Sequence, residues 1–348
     1  MKHLHNIYSR EDLLKQRKAE NFSRKTVSFY RYVIIDNPHE LRDTLYADWY
    51  AMGVLGRVYL AKEGINAQIS VPEPQVGQFI NYLDNTPYFA DMPMKWAVEN
   101  DPLSFLKLKM KVRPKIVADG LEDGTFDVTN VGRHLTAEEF NAALQEEGII
   151  VVDMRNHYES EIGRFENALC PDVDTFREEI EYVTKVLEDK KDAKILMYCT
   201  GGVRCEKASA YLKYKGFQNV NQLYGGIIEY ARQIKELNLD SKFRGKNFVF
   251  DERLGERITD DIIARCHQCG TPCDTHTNCA NDDCHLLFIQ CPGCAEKHAG
   301  CCSEQCHDII RLPQDERIKI RESMRTRYAQ TQIFRSRLRP RKSITNHL

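Results

Sequence analysis

Cysteine 199 stands where a thiolate nucleophile would be built. It ends the apolar run Lys194-Ile195-Leu196-Met197-Tyr198 and is followed by Thr200-Gly201-Gly202-Val203-Arg204. Two adjacent glycines let the backbone curl until successive N–H groups point inward, and the helix expected to begin near Arg204 adds its positive end. A free thiol titrates at about pH 8.5, and a helix N-terminus with a neighbouring arginine moves it toward thiolate. Cys199 is therefore the expected catalytic residue, and Thr200, Gly201, Gly202, Val203 and Arg204 are the loop that holds its charge. Cys205, next in the chain, either resolves an oxidised Cys199 or packs inside the helix.

A second chemistry lies further along. Of 13 cysteines, ten fall between Cys266 and Cys306. The pairs Cys266-x2-Cys269 and Cys291-x2-Cys294 are 21 residues apart, slightly beyond the roughly 15–20 usual for a zinc ribbon. A CxxC turn sets two thiolates on one side of a tight loop, and four sulfurs satisfy a tetrahedral metal. These four are the first choice of ligands for a closed, structural zinc. Ten cysteines are enough for two such sites with two left over. Disulfides or free thiols, or an iron–sulfur cluster, are the alternatives. Cys170 has no assigned role.

The surrounding elements must position these groups. Residues 26–35 read as a strand, 38–52 as a helix, and 56–61 and 65–70 as a hairpin about Lys62-Glu63-Gly64. A proline-started helix over 72–85 and the runs MKWAVE and SFLKLKMKV complete β-α-β-β-α-β. That order is a ferredoxin-like split unit. After an irregular stretch, Thr136 and Glu139 form a capping box and lead into the continuous apolar run 149–155, suited to a buried parallel strand. Helices at 174–188, 204–215 and 227–237 then alternate with strands at 194–199 and 219–224, the pattern of a doubly wound sheet whose ligands sit beyond the strands' carboxyl ends. The expected fold class is α/β, with a ferredoxin-like α+β N-terminal domain at 1–115 and a linker at 116–135. A doubly wound parallel domain at 136–240, a small Cys-rich region at 241–310 and a basic, disordered tail at 311–348 follow.

With 348 residues, 42% hydrophobic and 29% charged, the chain is long enough for two or three ordinary cores, which excludes a fibrous or disordered protein. No stretch approaches the roughly 18 apolar residues of a membrane helix, and the N-terminus lacks a signal-peptide core. The expectation is a cytoplasmic protein without membrane contact, whose thiols stay reduced. The net charge of −2 hides an asymmetry: between Arg311 and Lys342 eleven Lys/Arg face three acids, leaving the remainder at −10. Such a tail suits a polyanion such as RNA, or is merely solvated.

Residues 136–238 resemble a rhodanese domain. The six-residue loop from Cys199 to Arg204 matches the family's active-site loop, whose cysteine carries a persulfide. Asp153-Met154-Arg155-Asn156 with Glu159, Gly163 and Ala168 matches its first signature, and Leu223-Tyr224-Gly225-Gly226-Ile227 its last. The usual Gly-His-Ile reads Gly163-Arg164-Phe165 here, and Cys205 is not a general rhodanese feature. A six-residue loop suits sulfur, whereas the related dual-specificity phosphatases carry a longer one fitted to phosphate. Asp153 and Arg155 are expected to support the sheet edge through an ion pair.

The resemblance extends further. Residues 63–70, 198–207 and 245–253, together with the Cys-rich block, make the chain similar from about residue 4 to 310 to the bacterial rhodanese-like tRNA uridine hydroxylases. This resemblance implies an oxidoreductase of monooxygenase type that uses molecular oxygen to convert the wobble uridine of tRNA, U34, to 5-hydroxyuridine. Cys199 would act as thiolate or persulfide. The tRNA anticodon loop becomes the expected partner, with Arg204, Lys207, Arg253, Arg257 and the tail from Arg317 to Lys342 as its basic contacts. No flavin, nucleotide or iron-triad motif accompanies them, and nothing in the sequence specifies an oligomeric state. The rival function is a sulfurtransferase passing sulfane sulfur from Cys199 into tRNA thiolation or a sulfur relay.

Overall fold

The computed structural model describes residues 4–122 and 124–320, so most of the basic tail, 321–348, lies outside the described residues. After helix α1 (Arg10–Lys18), capped by Ser9, come β1 (Arg24–Tyr32), α2 (Pro38–Ala51), β2 (Leu55–Ala61), β3 (Gly64–Pro72), α3 (Val76–Asp84), β4 (Lys95–Trp96) and β5 (Leu108–Val112). They build one sheet in the order β4-β1-β3-β2-β5. Its first four strands are the expected ferredoxin-like unit. β4 shrinks to two residues, and β5 joins the far edge parallel to β2.

Alternation along these strands sorts the side chains. Val27, Phe29, Val58, Leu60, Ala67 and Ile69 face α2 and α3 and close a core around Trp49 and Phe79, whose rings meet edge-on at 5.1 Å. The opposite face carries two polar rows. Strand register aligns Lys95, Ser28, Gln68, Arg57 and Lys109 in one, and Tyr30, Asn66, Tyr59 and Lys111 in the next. That face looks toward the rest of the chain.

The central domain runs β6 (Arg133–Leu135), α4 (Ala137–Ala143), β7 (Ile150–Asp153), α5 (His157–Ile162), β8 (Gly163–Phe165), α6 (Phe176–Val186), β9 (Lys194–Tyr198), α7 (Val203–Tyr214), β10 (Asn219–Leu223) and α8 (Gly226–Leu237). Four strands pair in parallel in the order β6-β10-β9-β7. Phe140, Ile227 and Tyr230 cover one face, and Ile180, Val183, Ala208 and Leu212 the other, so the sheet is doubly wound. Thr136 and Glu139 form the capping box. Residues 133–135, assigned to the linker on sequence grounds, are an edge strand too short to show a period.

β11 (Phe243–Asn247) carries the chain onward by pairing with β8 and with β12 (Glu256–Arg257). The contact needs glycines: Gly163 and Gly245 are register partners, and a Cβ on Gly163 would stand 2.1 Å from a backbone oxygen. The Cys-rich region is thus entered through a sheet shared with the central domain. It holds β13 (His276–Asn278), β14 (Leu287–Ile289), α9 (Pro292–Lys297) and α10 (Glu304–Arg311). Residues 314–320, expected to open a disordered tail, are helical. Among the described residues no helix is long and apolar enough to cross a membrane.

Candidate active site

β9 delivers Cys199, fully buried, to the carboxyl edge of the central sheet. Gly202 follows at φ +97°, a conformation open to glycine, and turns its N–H onto the Cys199 sulfur at 3.1 Å. The backbone N–H groups of Arg204 and Cys205, in the first turn of α7, reach the same sulfur. Burial pushes the thiol up. The Cys205 S–H, the Arg204 charge and those N–H groups outweigh it and hold Cys199 down at about 6. Cys205 moves the opposite way: burial and the adjacent thiolate keep it protonated. It is both a packed helix residue and a donor to the Cys199 sulfur.

The arginine is fixed in turn. Arg204 grips Glu159 of α5 through two hydrogen bonds of 2.6 and 2.8 Å, and the Thr200 hydroxyl donates to the same carboxylate at 3.1 Å. Asp153 and Arg155 pair at 2.7 and 2.8 Å, wholly buried, and Arg155 also donates to the Gly163 carbonyl. The pair lies at the end of β7, outside the cavity lining. Glu179 of α6 is buried without a hydrogen bond to either carboxyl oxygen, and burial raises it well above the carboxylate range.

The polar face of the N-terminal sheet covers the loop. Tyr30 donates its hydroxyl to Glu206 at 3.0 Å, and Tyr32 donates to the Val203 carbonyl at 3.4 Å. Lys207, expected to touch RNA, is 3% exposed and lies 2.6 Å from Glu63 and 3.1 Å from Asp119. A lysine neutralised by two carboxylates has no charge to spare for phosphate, so its place is a tie between domains. Arg253 is likewise enclosed, paired with Asp251 and Glu256 and donating to the Glu99 carbonyl. Arg257 pairs with Asp274.

Between these parts lies a cavity of about 290 Å³, at the small end of ligand sites. The N-terminal sheet contributes Ser28, Tyr30, Asn66, Gln68 and Lys95; Cys199 to Gly201 and Arg204 form one wall; Phe250 and Arg253 form another. The stretches 63–70, 198–207 and 245–253, far apart in sequence, meet here. Sequence reasoning missed Lys95 and also a set of exposed cations, Arg57, Lys107, Lys109, Lys111 and Arg113, with no acid paired to them among the described residues. The alternation Lys107-Leu108-Lys109-Met110-Lys111 was the available signal for the second.

The Cys-rich region gathers two tetrads. Cys266, Cys269, Cys291 and Cys294, the expected set, form one; Cys279, Cys284, Cys302 and Cys306 form the other, with all sulfurs of a set within 4.8 Å of each other. Cys273 and Cys301 are left over. Sulfur separations of 3.5, 3.7 and 3.8 Å suit a tetrahedral ion bound at about 2.3 Å, whose ligands stand roughly 3.8 Å apart, and exceed the roughly 2.05 Å of a disulfide. Each tetrad fits a metal ion. Four protein ligands leave no open position, so such an ion would hold the fold and take no part in catalysis.

Comparison with known proteins agrees with this division. Residues 24–116 match a UPF0176 acylphosphatase like domain, 136–233 a rhodanese-like domain and 244–307 a rhodanase C-terminal domain. A tRNA uridine(34) hydroxylase of Leptospira interrogans is 56% identical over 345 residues, covering 99% of this chain and 93% of that protein. Namesakes from Enterobacter sp. and Yersinia pestis are 55% and 53% identical over 314 residues, 90% of this chain and 90% and 88% of theirs. Identity of that depth extends over nearly the whole length of the chain, which belongs to the tRNA uridine(34) hydroxylase family.

Proposed function

We propose that this protein hydroxylates C5 of the wobble uridine of tRNA, giving 5-hydroxyuridine, with molecular oxygen as co-substrate: one oxygen atom enters the base, and the other leaves as water with two electrons and two protons from a thiol-class reductant. The observation that carries the reading is a thiolate in the wall of a small cavity walled by three regions of the chain. C5 of uracil becomes nucleophilic when a thiolate adds to C6, and Cys199, as thiolate or with a persulfide on the same sulfur, is the group for that addition. The loop N–H groups hold its negative charge until the base arrives.

The rest of the cavity suits a pyrimidine. Gln68 donates to Asn66 at 2.7 Å, and Asn66 donates to the Ile116 carbonyl, which orients both amides and leaves the Gln68 carbonyl to accept from the base N3–H. The Ser28 hydroxyl, buried and unpaired, can donate to a base carbonyl. Tyr30 and Phe250 supply ring faces. A base splayed from a single-stranded loop and stacked on aromatics is the usual mode of RNA recognition. Arg57, Lys109 and Lys111 share the polar face of the same sheet with the cavity residues, so the anticodon-loop phosphates would cross them while the base enters beside Tyr59.

Zinc is the ion the cysteine tetrads suit best, since all-thiolate tetrahedra favour it. A tRNA-modifying oxidoreductase with reduced thiols belongs in the cytoplasm. The N–H cradle around Cys199 would equally hold a sulfane sulfur, which keeps sulfur transfer as the second reading. Mass spectrometry of tRNA nucleosides from cells with and without the gene separates the two: loss of 5-hydroxyuridine supports hydroxylation, and loss of a thiolated base supports sulfur transfer.

A further inference from the structure

Lys95 is a charged side chain in the cavity that has no hydrogen-bond or ion-pair partner among the described residues. It sits on the two-residue strand β4 opposite Ser28, is 7% exposed, and carries its ammonium over the Tyr30 ring at 4.2 Å from the centroid. Arg204 and Arg253, the other cations of the wall, are both held by carboxylates. Burying an ammonium without a partner is costly, and a site that accepts the cost is a functional candidate. The groups that face it come from every neighbouring element: Cys199 from the loop, Glu206 from α7, Glu229 from α8, His134 from β6 and Tyr30 from β1. Burial brings the Lys95 ammonium down to about 8, and the negative groups stop it falling further.

We propose that Lys95 is a catalytic acid of this site, protonating a carbonyl oxygen of the uracil as Cys199 attacks C6. The inference rests on the reading that uracil C6 meets the Cys199 sulfur. In the step, the Sγ–C6 bond forms, the C5=C6 electron pair moves to C4–C5, and the C4=O4 pair moves to O4. The O4–H bond forms as one Lys95 N–H bond breaks, leaving a neutral amine and an electron-rich C5. No electron leaves the pair of reactants, so the addition needs no oxidant. A general acid that titrates close to the working pH is the most effective kind. Lys95 and Cys199 line the same cavity, so both can reach one ring.

The test compares the full-length protein with Lys95→Met and Lys95→Arg, using tRNA and an anticodon stem–loop carrying 5-fluorouridine, which traps sulfur added at C6. Loss of general acid catalysis should slow both 5-hydroxyuridine formation and adduct formation about 100-fold or more in Lys95→Met. The wild-type rate should decline above about pH 8, and that limb should vanish in both variants, because arginine keeps the charge but does not release the proton. The tRNA affinity should stay within a few-fold in both variants, and the pH midpoint for Cys199 alkylation should rise in Lys95→Met, which loses the charge, and hold in Lys95→Arg, which keeps it. If Lys95→Met melts early, Lys95→Arg carries the comparison. Rates within a few-fold of wild type, or an alkaline limb that persists in both variants, would overturn the proposal. Adduct without 5-hydroxyuridine in the wild type would overturn the functional reading alone, and the Lys95 dependence of the adduct would still decide the acid's role. No wild-type adduct at all would overturn the acid role.

Discussion

Lys207, two residues after the Cys205 donor, sets its ammonium between Glu63 of the N-terminal hairpin and Asp119 of the connecting stretch, at 2.6 and 3.1 Å. The helix that begins at the Cys199 loop is thereby tied to a different domain. Glu63 also accepts from the Ile116 N–H, so one carboxylate fixes the hairpin, the connection and α7 together. Placement of the N-terminal sheet over Cys199 depends on this junction.

Replacing Lys207 by Met should therefore destabilise the protein by roughly 1.5–3 kcal/mol, the value of a hydrogen bond to a charged group, because Glu63 loses its cation and the fully buried Asp119 keeps only Lys115. Denaturant unfolding checks the size. A change below about 1 kcal/mol, the value of a surface pair, would show that the junction does not hold the domains.

Alkylation of Cys199 should switch on with a midpoint at about pH 6. In Arg204→Met the midpoint should rise, since a cation that favours thiolate is gone. The sign for stability follows from the same depression. The thiolate's contribution is fully present above the unfolded thiol's pKa, about 8.5, and is lost as pH falls through about 6, an effect on the order of 3 kcal/mol. Relative to Cys199→Ser, the wild type should lose stability across that window. Parallel unfolding free energies for the two proteins would contradict the assignment.

Freshly purified protein should contain two zinc ions per chain and no iron absorbance. Cys269→Ser should lower the content to one and reduce thermal stability, as removal of a structural zinc does. Elemental analysis reads the count directly; iron in place of zinc, or no metal with disulfides, would replace this account of the region.

Charge reversal at Lys109 and Lys111 should weaken tRNA binding at least tenfold and lower the salt slope by about one for each phosphate that is no longer neutralised. Both are exposed and, among the described residues, have no acidic partner. A salt slope equal to wild type would move the RNA to another surface.

These residues also show what a sequence alone gives away. The Cys199 loop was legible because its logic is local: strand, two glycines and an arginine lie within six residues. The ferredoxin-like order and the first cysteine tetrad were legible for the same reason, through alternation and CxxC spacing. Lys207 was misread because exposure was inferred from charge, while its partners Glu63 and Asp119 lie 144 and 88 positions away. Lys95 gave no signal at all, since a two-residue strand has no period. The second tetrad draws Cys279, Cys284, Cys302 and Cys306 from two spans, a pairing that only the fold around β13 and β14 decides.

On the proposed reading the Cys199 thiolate makes 5-hydroxyuridine from the wobble uridine with oxygen from the gas. Incubating purified protein with unmodified tRNA under heavy-isotope oxygen gas, followed by mass spectrometry of the nucleosides, decides it. The wild type should yield 5-hydroxyuridine carrying one heavy oxygen, and Cys199→Ser should yield none. Product from Cys199→Ser, or wild-type product with oxygen drawn from water, would contradict the account.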